Sequence, residues 1–227
     1  MTNISWKGLK LVIFDVDGTL YRQSKLRRIM LFKLLSYYSI RPWKYKELLI
    51  LHHFRLEREK RSDFTGDNLQ EEQYSWCAVQ TNATPKEVKK VVDKWIFNAP
   101  NKYLKSCLYP GVAKFFDDLK SLGIKTAVYS DYDATEKLKY MGLQVDLDIS
   151  STDARVNAFK PMPNGLNLIL DELQITQKNT CLFIGDRFEL DGRCAERAGI
   201  PFVLVDKADA STIFYPNLSS ALLHSTI

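Results

Sequence analysis

Apolar and polar residues follow two different patterns along the chain. The stretch Leu9–Phe14 is short and mostly apolar, and it ends abruptly at Asp15, which predicts a buried strand. Between Leu26 and Glu59, apolar residues recur three and four positions apart, and Pro42 interrupts them. That spacing predicts two helices, because proline breaks a continuous helix. Two more helices are predicted over residues 70–79 and 85–97.

After Pro110 the pattern changes to short apolar stretches that alternate with amphipathic ones. Such alternation predicts a parallel sheet with helices on both of its faces. Strands are predicted over residues 124–129, 145–149, 181–184 and 202–205, and helices over residues 111–122, 134–141, 161–173 and 191–198.

The long helical segment interrupts this alternation directly after the first strand. We therefore predict an α/β fold, in which a Rossmann-like parallel sheet is flanked by helices and carries an inserted all-helical cap domain. The predicted core comprises residues 1–20 and 109–227, and the predicted cap comprises residues 21–108.

Polar residues cluster where the predicted strands end. The first strand leads into Asp15–Thr19, which reads Asp-Val-Asp-Gly-Thr, and the second strand leads into Ser130. Lys160 precedes a predicted helix, and the fourth strand leads into Gly185–Asp191. In an open parallel sheet, ligands bind beyond the carboxyl ends of the strands, so we expect these four clusters to meet in one site.

Four carboxylates in these clusters would repel one another without a cation among them. The candidate ligands are all oxygen atoms, with no histidine or thiolate nearby, which favours Mg²⁺ over Zn²⁺. Magnesium binds through a few carboxylates and shares an oxygen atom with a bound phosphate. The predicted metal ligands are Asp15, Asp17, Asp186 and Asp191.

The remaining polar residues suit a phosphate group. Ser130 and Lys160 offer a hydroxyl group and a positive charge to phosphate oxygens. Gly18 lets the backbone turn so that the amides of its loop face the phosphate. Thr19 completes the predicted phosphate-binding set.

Two aspartates carry the predicted chemistry. Asp15 is the predicted nucleophile, because a carboxylate held in line with phosphorus can form an acyl phosphate. Asp17 lies two residues further on, so in extended backbone its side chain is on the same side of the chain. From there it would protonate the leaving alkoxide and then deprotonate the attacking water.

The four clusters, in this order, resemble the haloacid dehalogenase superfamily. Its phosphatases carry Asp-x-Asp-Gly-Thr, then Ser or Thr, then Lys, then Gly-Asp with a later acid, and the resemblance spans residues 9–205. It implies that Asp15 is nucleophile and metal ligand, and that Asp17 is general acid and base and a ligand through its main-chain carbonyl. It also implies that Asp186 is the second carboxylate ligand and that Asp191 holds the metal's water shell or Lys160.

The predicted function is magnesium-dependent hydrolysis of a small phosphorylated metabolite, such as a sugar, polyol or glycolate phosphate, through an aspartyl-phosphate. Asp17 favours phosphate chemistry over dehalogenation, because an alkoxide needs an acid whereas a halide leaves unassisted. Alternative enzymes are a sugar-phosphate mutase and a phosphonate-cleaving enzyme with a cap lysine. From a different class, the alternative is a catalytically silent member that binds a phosphorylated ligand or a partner protein.

The predicted cap is basic. Between Tyr21 and Leu108 there are 18 Lys/Arg and 9 Asp/Glu, while the rest of the chain has a net charge of −4. A solvated surface, recruitment of an anionic substrate and nucleic-acid binding are all open interpretations. The apolar stripes of helices 26–38 and 43–59 are interpreted as the cap's own core. We expect a small phosphate ester as partner, and neither nucleic acid nor membrane.

A helix that spans a bilayer needs about 18 or more apolar residues, and no apolar run in the sequence approaches that length. The N-terminus lacks the features of a signal peptide. We therefore expect a cytoplasmic location. Cys77, Cys107, Cys181 and Cys194 are widely spaced and form no CxxC pair, which predicts buried, reduced thiols.

Overall fold

A computed structural model describes residues 6–225. Five parallel strands form one sheet in the order β3-β2-β1-β4-β5. The predicted fold class is therefore confirmed, while residues 1–5 and 226–227 of the predicted core lie outside the described range. The strands are β1 Leu11–Phe14, β2 Lys125–Ser130, β3 Leu147–Ser150, β4 Cys181–Gly185 and β5 Phe202–Leu204.

The first strand is central, and its alternating residues serve both faces of the sheet. Val12 and Phe14 pack into one apolar cluster, whereas Leu11 and Ile13 pack into the other. All four side chains are fully buried, as expected for a strand that helices cover on both sides. Phe14, the last residue of β1, is the register partner of Val128 and Ile184. The three strand ends that carry the predicted polar clusters therefore lie side by side.

Helices cover both faces of this sheet. One layer includes α8 and α9, and the other includes α6 and α11. The helices outside the insertion are α6 Val112–Ser121, α7 Thr135–Met141, α8 Asn164–Glu172, α9 Arg193–Ala198, α10 Lys207–Ala210 and α11 Phe214–His224. A π-helical turn, Phe188–Gly192, precedes α9. We call the sheet and these helices the α/β core.

Residues 23–107, inserted between β1 and α6, consist of helices joined by turns, and we call them the cap. Tyr21 and Leu108 form an antiparallel bridge where the chain leaves and re-enters the α/β core. The predicted division at residues 21 and 108 stays a prediction. The cap helices are α1 Gln23–Ser39, α2 Tyr45–Glu59, α3 Leu69–Thr81, α4 Pro85–Val92 and α5 Asn101–Cys107. Short turns, Pro42–Lys44 and the π-helical Asp93–Asn98, connect some of them.

Two arginines join the cap to the α/β core. Arg58 of α2 donates to the carbonyl of Asp131 at 2.7 Å. Arg197 of α9 forms an ion pair with Asp63, which lies between α2 and α3. The cap is therefore held over the end of the sheet at which the predicted site residues lie.

Some predicted boundaries differ from the structure for physical reasons. The helix predicted from residue 161 begins at Asn164, because Pro163 restricts the backbone of the residue before it. Helices α5, α10 and α11 were not predicted. In α11, Pro216 occupies the first turn, where proline is tolerated because its missing N–H would be unpaired anyway.

The interpretation of the α1 and α2 stripes as cap core is only partly correct. Leu26 and Met30 of α1 and Phe54 of α2 are buried. The interpretation is wrong for seven large apolar side chains of these predicted helices, from Leu31 to Leu49, which are exposed. The four cysteines are free thiols and buried, as predicted. Within residues 6–225, no helix combines the length and the apolar character needed to cross a bilayer.

Candidate active site

The loop after β1 brings Asp15 to the edge of the sheet. The Asp15 amide donates to the carbonyl of Ile184 at 2.9 Å, which extends the pairing of β1 with β4 by one residue. Gly18 has a φ angle of +102°, a backbone conformation that residues other than glycine rarely adopt. A Cβ atom on Gly18 would lie 2.3 Å from Oδ2 of Asp186. Glycine is therefore required for this loop to approach the fourth strand.

Lys160 is the central cation of the site. Its ammonium group donates to Oδ1 of Asp15 and to Oδ1 of Asp191, each at 2.8 Å, and its side chain is only 1% exposed. Burial disfavours this charge, but the two carboxylates outweigh burial and hold the pKa of Lys160 well above its usual value. Asp191 also accepts the Arg187 amide at 3.1 Å. Both oxygens of Asp191 are thus occupied, which orients Lys160 towards Asp15.

Three of the predicted acids lie together. Single carboxylate oxygens of Asp15, Asp186 and Asp191 come within 4.8 Å of one another. Burial and the Asp191 charge raise the pKa of Asp15 and Lys160 lowers it, and the net result is a pKa raised to about 7. Burial and the Asp15 charge also raise the pKa of Asp186, although Lys207 approaches its Oδ2 at 3.0 Å. The positive charges of Lys160 and Lys207 do not outweigh burial, so the ionised carboxylates of Asp15 and Asp186 stay disfavoured. A hard divalent cation such as Mg²⁺ would favour the ionised forms, and a cluster of oxygen ligands fits such a cation.

Asp17 lies outside this carboxylate cluster. Lys137 donates to its two carboxylate oxygens at 2.6 and 2.8 Å, and the Tyr21 hydroxyl donates to Oδ1 as well. Burial would raise the pKa of Asp17, but Lys137 and Tyr21 outweigh it, and the pKa is lowered. The Asp17 charge still contributes to raising the pKa of Asp15, as expected of neighbouring carboxylates, but Lys137 compensates the charge of Asp17 itself. Ligation of a metal through the main-chain carbonyl of Asp17 stays a prediction.

Two of the predicted phosphate-binding residues, Lys160 and Thr19, contact Asp15 directly. Ser130 ends β2, is buried, and its Oγ accepts the Tyr132 amide at 3.4 Å. The Thr19 hydroxyl donates to Oδ2 of Asp15 at 3.0 Å, so its contact in this structure is with the carboxylate that is the predicted nucleophile. The roles of Ser130, Lys160, Gly18 and Thr19 towards phosphate stay predictions.

Sequence reasoning did not identify Lys137, although a signal was present. Ala134, Leu138 and Met141 form the buried face of α7. Lys137 lies three residues after Ala134 and four before Met141, so it falls on the same face. A lysine on a buried helix face needs an acidic partner, and here the partner is Asp17.

Tyr215 was also not identified, because α11 was not predicted. Its buried hydroxyl donates to the carbonyl of Thr19 at 2.7 Å. The last helix of the described chain thereby supports the loop that carries Asp15. No local pattern links these two residues, which are 196 positions apart.

Solved structures of low sequence identity share this fold, while no curated protein sequence matches the chain. A HAD phosphatase from Thermococcus onnurineus is 22% identical, with a TM-score of 0.54, and the match covers 87% of this chain and 86% of that one. The HAD-hydrolase YfnB from Bacillus subtilis, in a structure bound to magnesium, is 14% identical with a TM-score of 0.60, over 95% and 99%. CbbY from Rhodobacter sphaeroides, in complex with phosphate, is 19% identical with a TM-score of 0.53, over 86% and 85%.

A family model described as haloacid dehalogenase-like hydrolase matches residues 9–199. The matched range includes β1, the whole cap and all four polar clusters, and it covers most of the 227 residues. The chain belongs to the haloacid dehalogenase-like hydrolase family.

Proposed function

We propose that the chain is a magnesium-dependent phosphomonoester hydrolase that forms an aspartyl-phosphate on Asp15. The observation that carries this proposal is the arrangement around Asp15. Its carboxylate contacts a buried lysine, lies within a three-acid cluster suited to a divalent cation, and shares its loop with a separately held second acid. Three different residues then have the three roles: Asp15 is the nucleophile, Lys160 is the phosphate-binding cation, and Asp17 carries the proton.

The phosphate would bind where Lys160 and Ser130 face Asp15. Lys160 offers positive charge and Ser130 a hydroxyl donor to the nonreacting phosphate oxygens. The carboxylates of Asp15 and Asp186 and the main-chain carbonyl of Asp17 would hold Mg²⁺, which would supply further positive charge to the transferred group. Asp191 acts through Lys160, because its two oxygens already accept from Lys160 and from the Arg187 amide.

The reaction then proceeds in two displacements. Asp17 enters this step in its protonated form. A carboxylate oxygen of Asp15 forms a bond to phosphorus while the bond from phosphorus to the leaving oxygen breaks, and Asp17 gives its proton to that oxygen. Water next attacks the phosphorus of the aspartyl-phosphate, Asp17 takes the proton, and the Asp15–phosphorus bond breaks. Inorganic phosphate and an alcohol are the products, and both aspartates return to their starting forms.

Lys137 would assist the first displacement. Its ammonium group has three N–H donors, and two of them contact the oxygens of Asp17. The remaining donor and the positive charge are available to the oxygen on which negative charge develops. The same contacts fix the orientation of the Asp17 carboxylate.

A cavity of about 230 Å³ between the cap and the α/β core suits the leaving group. Lys137 is part of its wall, so the cavity adjoins the group that holds Asp17. The buried Asn101 also lines it, and within residues 6–225 the Oδ1 atom of Asn101 has no hydrogen-bond partner. The cap contributes four amide side chains to the wall, from Gln70, Gln73, Asn98 and Asn101.

Amide groups donate and accept hydrogen bonds, so this wall suits a hydroxylated leaving group such as a sugar or polyol. Asp93, Asp133 and Glu136 also line the cavity, which disfavours a second phosphate there. A neighbouring open cleft shares Asp93 and Asn98 with the cavity. Its wall carries five lysines, which would attract an anionic substrate towards the site: Lys86, Lys89, Lys90, Lys94 and Lys102.

Arg22 and Lys25 are the basic residues that follow the Asp15 loop most closely along the chain. Lys25 donates to the carbonyl of Ser106, and the Arg22 amide donates to the carbonyl of Cys107 at 2.8 Å. Neither residue lines the two cavities described above. Both residues instead belong to the junction at which the cap joins the α/β core.

The first test is hydrolysis of an aryl phosphate in Mg²⁺, followed by the same assay in excess chelator. We expect turnover in Mg²⁺, its loss in chelator and its recovery when Mg²⁺ is restored. Mass spectrometry of the rapidly quenched protein should detect one phosphoryl group on Asp15. Full activity in chelator would overturn the metal assignment, and a phosphoryl group on a different residue would overturn the nucleophile assignment.

The second test concerns the leaving-group cavity and uses a panel of sugar and polyol phosphates. For the best substrate of the panel, Asn101→Ala should lower kcat/KM by about tenfold, because one buried polar partner is lost. The aryl phosphate should be affected much less. Gln80→Ala, at an exposed amide of α3, is the matched control. Equal losses on both substrates would contradict a role in reading the leaving group.

A further inference from the structure

The outer face of α1 is apolar although nothing in the described structure covers it. Leu31, Phe32 and Leu35 are exposed, and Phe32 has 70% of its surface accessible. These positions lie at i, i+1 and i+4, so they share one side of the helix. The opposite side contains Leu26 and Met30, which are buried in the cap. The helix thus has two apolar faces, and only one of them has a partner.

The same exposure continues through the connection into α2. Ile40 and Trp43 lie in the connection, and the Trp43 side chain is 71% exposed. Tyr45, Leu48 and Leu49 in the first turns of α2 are exposed as well, at i, i+3 and i+4. We call the exposed apolar residues from Leu31 to Leu49 the tip surface.

Contacts beneath the tip surface hold its two halves together. The Tyr38 hydroxyl at the end of α1 donates to Oε2 of Glu47 in α2 at 2.8 Å. Arg41 stacks on the Tyr37 ring at 4.6 Å, and Lys44 forms an ion pair with Glu47 at 3.2 Å. The exposed apolar groups therefore belong to one supported part of the cap.

The charge around the tip surface is predominantly positive, and Glu47, the one acid between Leu31 and Leu49, is paired with Lys44. Residues 22–46 contain eight Lys/Arg and no Asp/Glu. Several of these cations alternate with the apolar residues, as Lys33 does in α1 and Lys46 does in α2. An exposed apolar face with aromatic residues and cations at its margin is typical of helices that lie in the interface of an anionic membrane.

We propose that the tip surface is a docking site for an anionic phospholipid bilayer. Leucine and phenylalanine side chains would enter the boundary between headgroups and acyl chains, where Trp43 and Tyr45 are also favoured. Lysine and arginine side chains would extend along this boundary to the phosphate groups. We expected no membrane partner because the apolar stripes of helices 26–38 and 43–59 were interpreted as buried in the cap. The tip surface shows that part of these stripes is exposed, so that reason no longer applies.

The charge distribution favours a bilayer over the two other occupants. A second copy of the chain would bring a surface of the same positive charge against the first, and like charges oppose association. A folded protein partner would have to desolvate the interspersed cations, which is costly unless each finds an acidic partner. A bilayer surface supplies both an apolar layer and a fluid excess of negative charge.

Flotation of the full chain with lipid vesicles tests the proposal without any substrate, so its outcome does not depend on the proposed phosphatase activity. The two probes are vesicles of phosphatidylcholine alone and vesicles in which one third of the lipid is phosphatidylglycerol. At low ionic strength, partitioning should be at least about tenfold stronger on the anionic vesicles, and added salt should weaken it. Absence of flotation with anionic vesicles would overturn the proposal.

Variants at exposed positions separate the apolar and the charged contributions. The double variant Phe32→Ser, Trp43→Ser should lower partitioning on anionic vesicles by more than about tenfold. Arg28→Gln with Lys46→Gln should also lower it by about tenfold or more. The matched controls are Val79→Ser in α3 and the pair Lys86→Gln, Lys90→Gln in α4, which should retain at least half of the binding. Equal losses in test and control variants would overturn the assignment of the tip surface.

Two further measurements guard against misfolding and self-association. Circular dichroism and aryl phosphate hydrolysis should be unchanged in the Phe32→Ser, Trp43→Ser variant, because both side chains are exposed. In the wild type, Trp43 fluorescence should shift to the blue on addition of anionic vesicles, and Trp43→Phe should abolish the shift. Sedimentation velocity that shows a dimer lost in the tip variant would overturn the proposal in favour of a second copy.

Discussion

Ion pairs in the cap and ion pairs in the candidate site differ in the distance that they span along the chain. Among the described residues, those within the cap join positions three or four apart, as in Lys44–Glu47 and Lys89–Asp93. In the site, Lys160 contacts Asp15 across 145 positions and Lys137 contacts Asp17 across 120. The first kind of pair accompanies local helix formation, whereas the second kind exists only when the whole α/β core is folded.

The two kinds of pair also differ in what their loss should do. Exposed pairs three or four apart on a helix contribute only about 0.3–0.5 kcal/mol each, because water screens both charges. Lys160 and Lys137 are almost completely buried, so removal of either partner leaves a charge without compensation. Function should therefore depend steeply on the long-range pairs and weakly on the local ones. The cap in turn should act through its surfaces, at the leaving-group cavity and at the tip surface.

The largest effect is expected at Asp15. Asp15→Asn removes the carboxylate that we propose as the nucleophile while preserving the size of the side chain, so turnover should fall by about 10³-fold or more. No phosphoryl group should be detected on the quenched variant by intact-protein mass spectrometry. Asp171→Asn, at an exposed position of α8, is the control and should retain normal turnover. Near-normal turnover of Asp15→Asn would contradict the covalent mechanism.

The next effect compares two lysines of one helix. Lys137→Met should lower kcat/KM for an alkyl phosphate by about 10²-fold, because the variant loses the orientation of Asp17 and the charge beside the leaving oxygen. An aryl phosphate, whose leaving group needs little protonation, should lose less than about tenfold. Lys139→Met is the control, because Lys139 is exposed and pairs locally with Glu136 at 3.7 Å.

The pH profile of the same variants sharpens that comparison. Lys137 lowers the pKa of Asp17, so its removal should raise this pKa and move the corresponding limb of the kcat/KM profile to higher pH. Lys139→Met should leave the limb in place. Similar profiles and similar losses for the two variants would show that the long-range pair has no special role.

A smaller effect is expected when the cation binds the folded chain without substrate. At about 100 times its Kd, Mg²⁺ should stabilise the fold by about 2.7 kcal/mol. For a chain of 227 residues this corresponds to a rise in Tm of about 5–10 °C. Asp186→Asn should remove most of this rise, whereas Asp171→Asn should preserve it. A wild-type Tm that does not respond to Mg²⁺ would contradict the cation assignment for the acidic cluster.

The smallest effect is expected at a local contact of the cap. Tyr38→Phe removes the hydroxyl that donates to Glu47 and should lower the free energy of unfolding by about 1 kcal/mol at neutral pH. Turnover should be unchanged. Tyr45→Phe is the control, because the exposed Tyr45 is not part of that contact. A comparable loss of stability in both variants would mean that the Tyr38–Glu47 bond contributes nothing specific.

The sign of the pH dependence follows from Glu47. Burial would raise its pKa, but the Tyr38 hydroxyl and Lys44 outweigh burial and lower the pKa from its ordinary value of 4.5. Because the pKa of Glu47 is lower in the folded state than in the unfolded chain, its ionised carboxylate stabilises the fold above pH 4.5. This contribution is lost as the pH falls through the pKa that Glu47 has in the folded state. The stability difference between wild type and Tyr38→Phe, measured by urea denaturation, should therefore shrink as the solution becomes more acidic.

Periodicity predicted much of the fold. Alternation of short apolar strands with amphipathic helices was sufficient for the parallel sheet, because buried strands and surface helices repeat at different intervals. The predicted elements of the α/β core agree with the structure to within a few residues up to β5. Helix α11 was missed, since its first turn contains Pro216 and its burial depends on a distant partner, the carbonyl of Thr19.

The sequence by itself determined that Asp15 and Asp186 would meet, because each follows the end of a strand in one sheet and such ends share an edge. Only the tertiary structure decided that Asp17 is held by Lys137, since that contact joins a loop to a helix 120 positions away. Only the tertiary structure decided which apolar face of α1 is covered, because Leu26 and Phe32 have the same character in the sequence. Periodicity specifies that a helix has an apolar face, whereas burial requires a partner, and the packing of the cap supplies a partner to only one side.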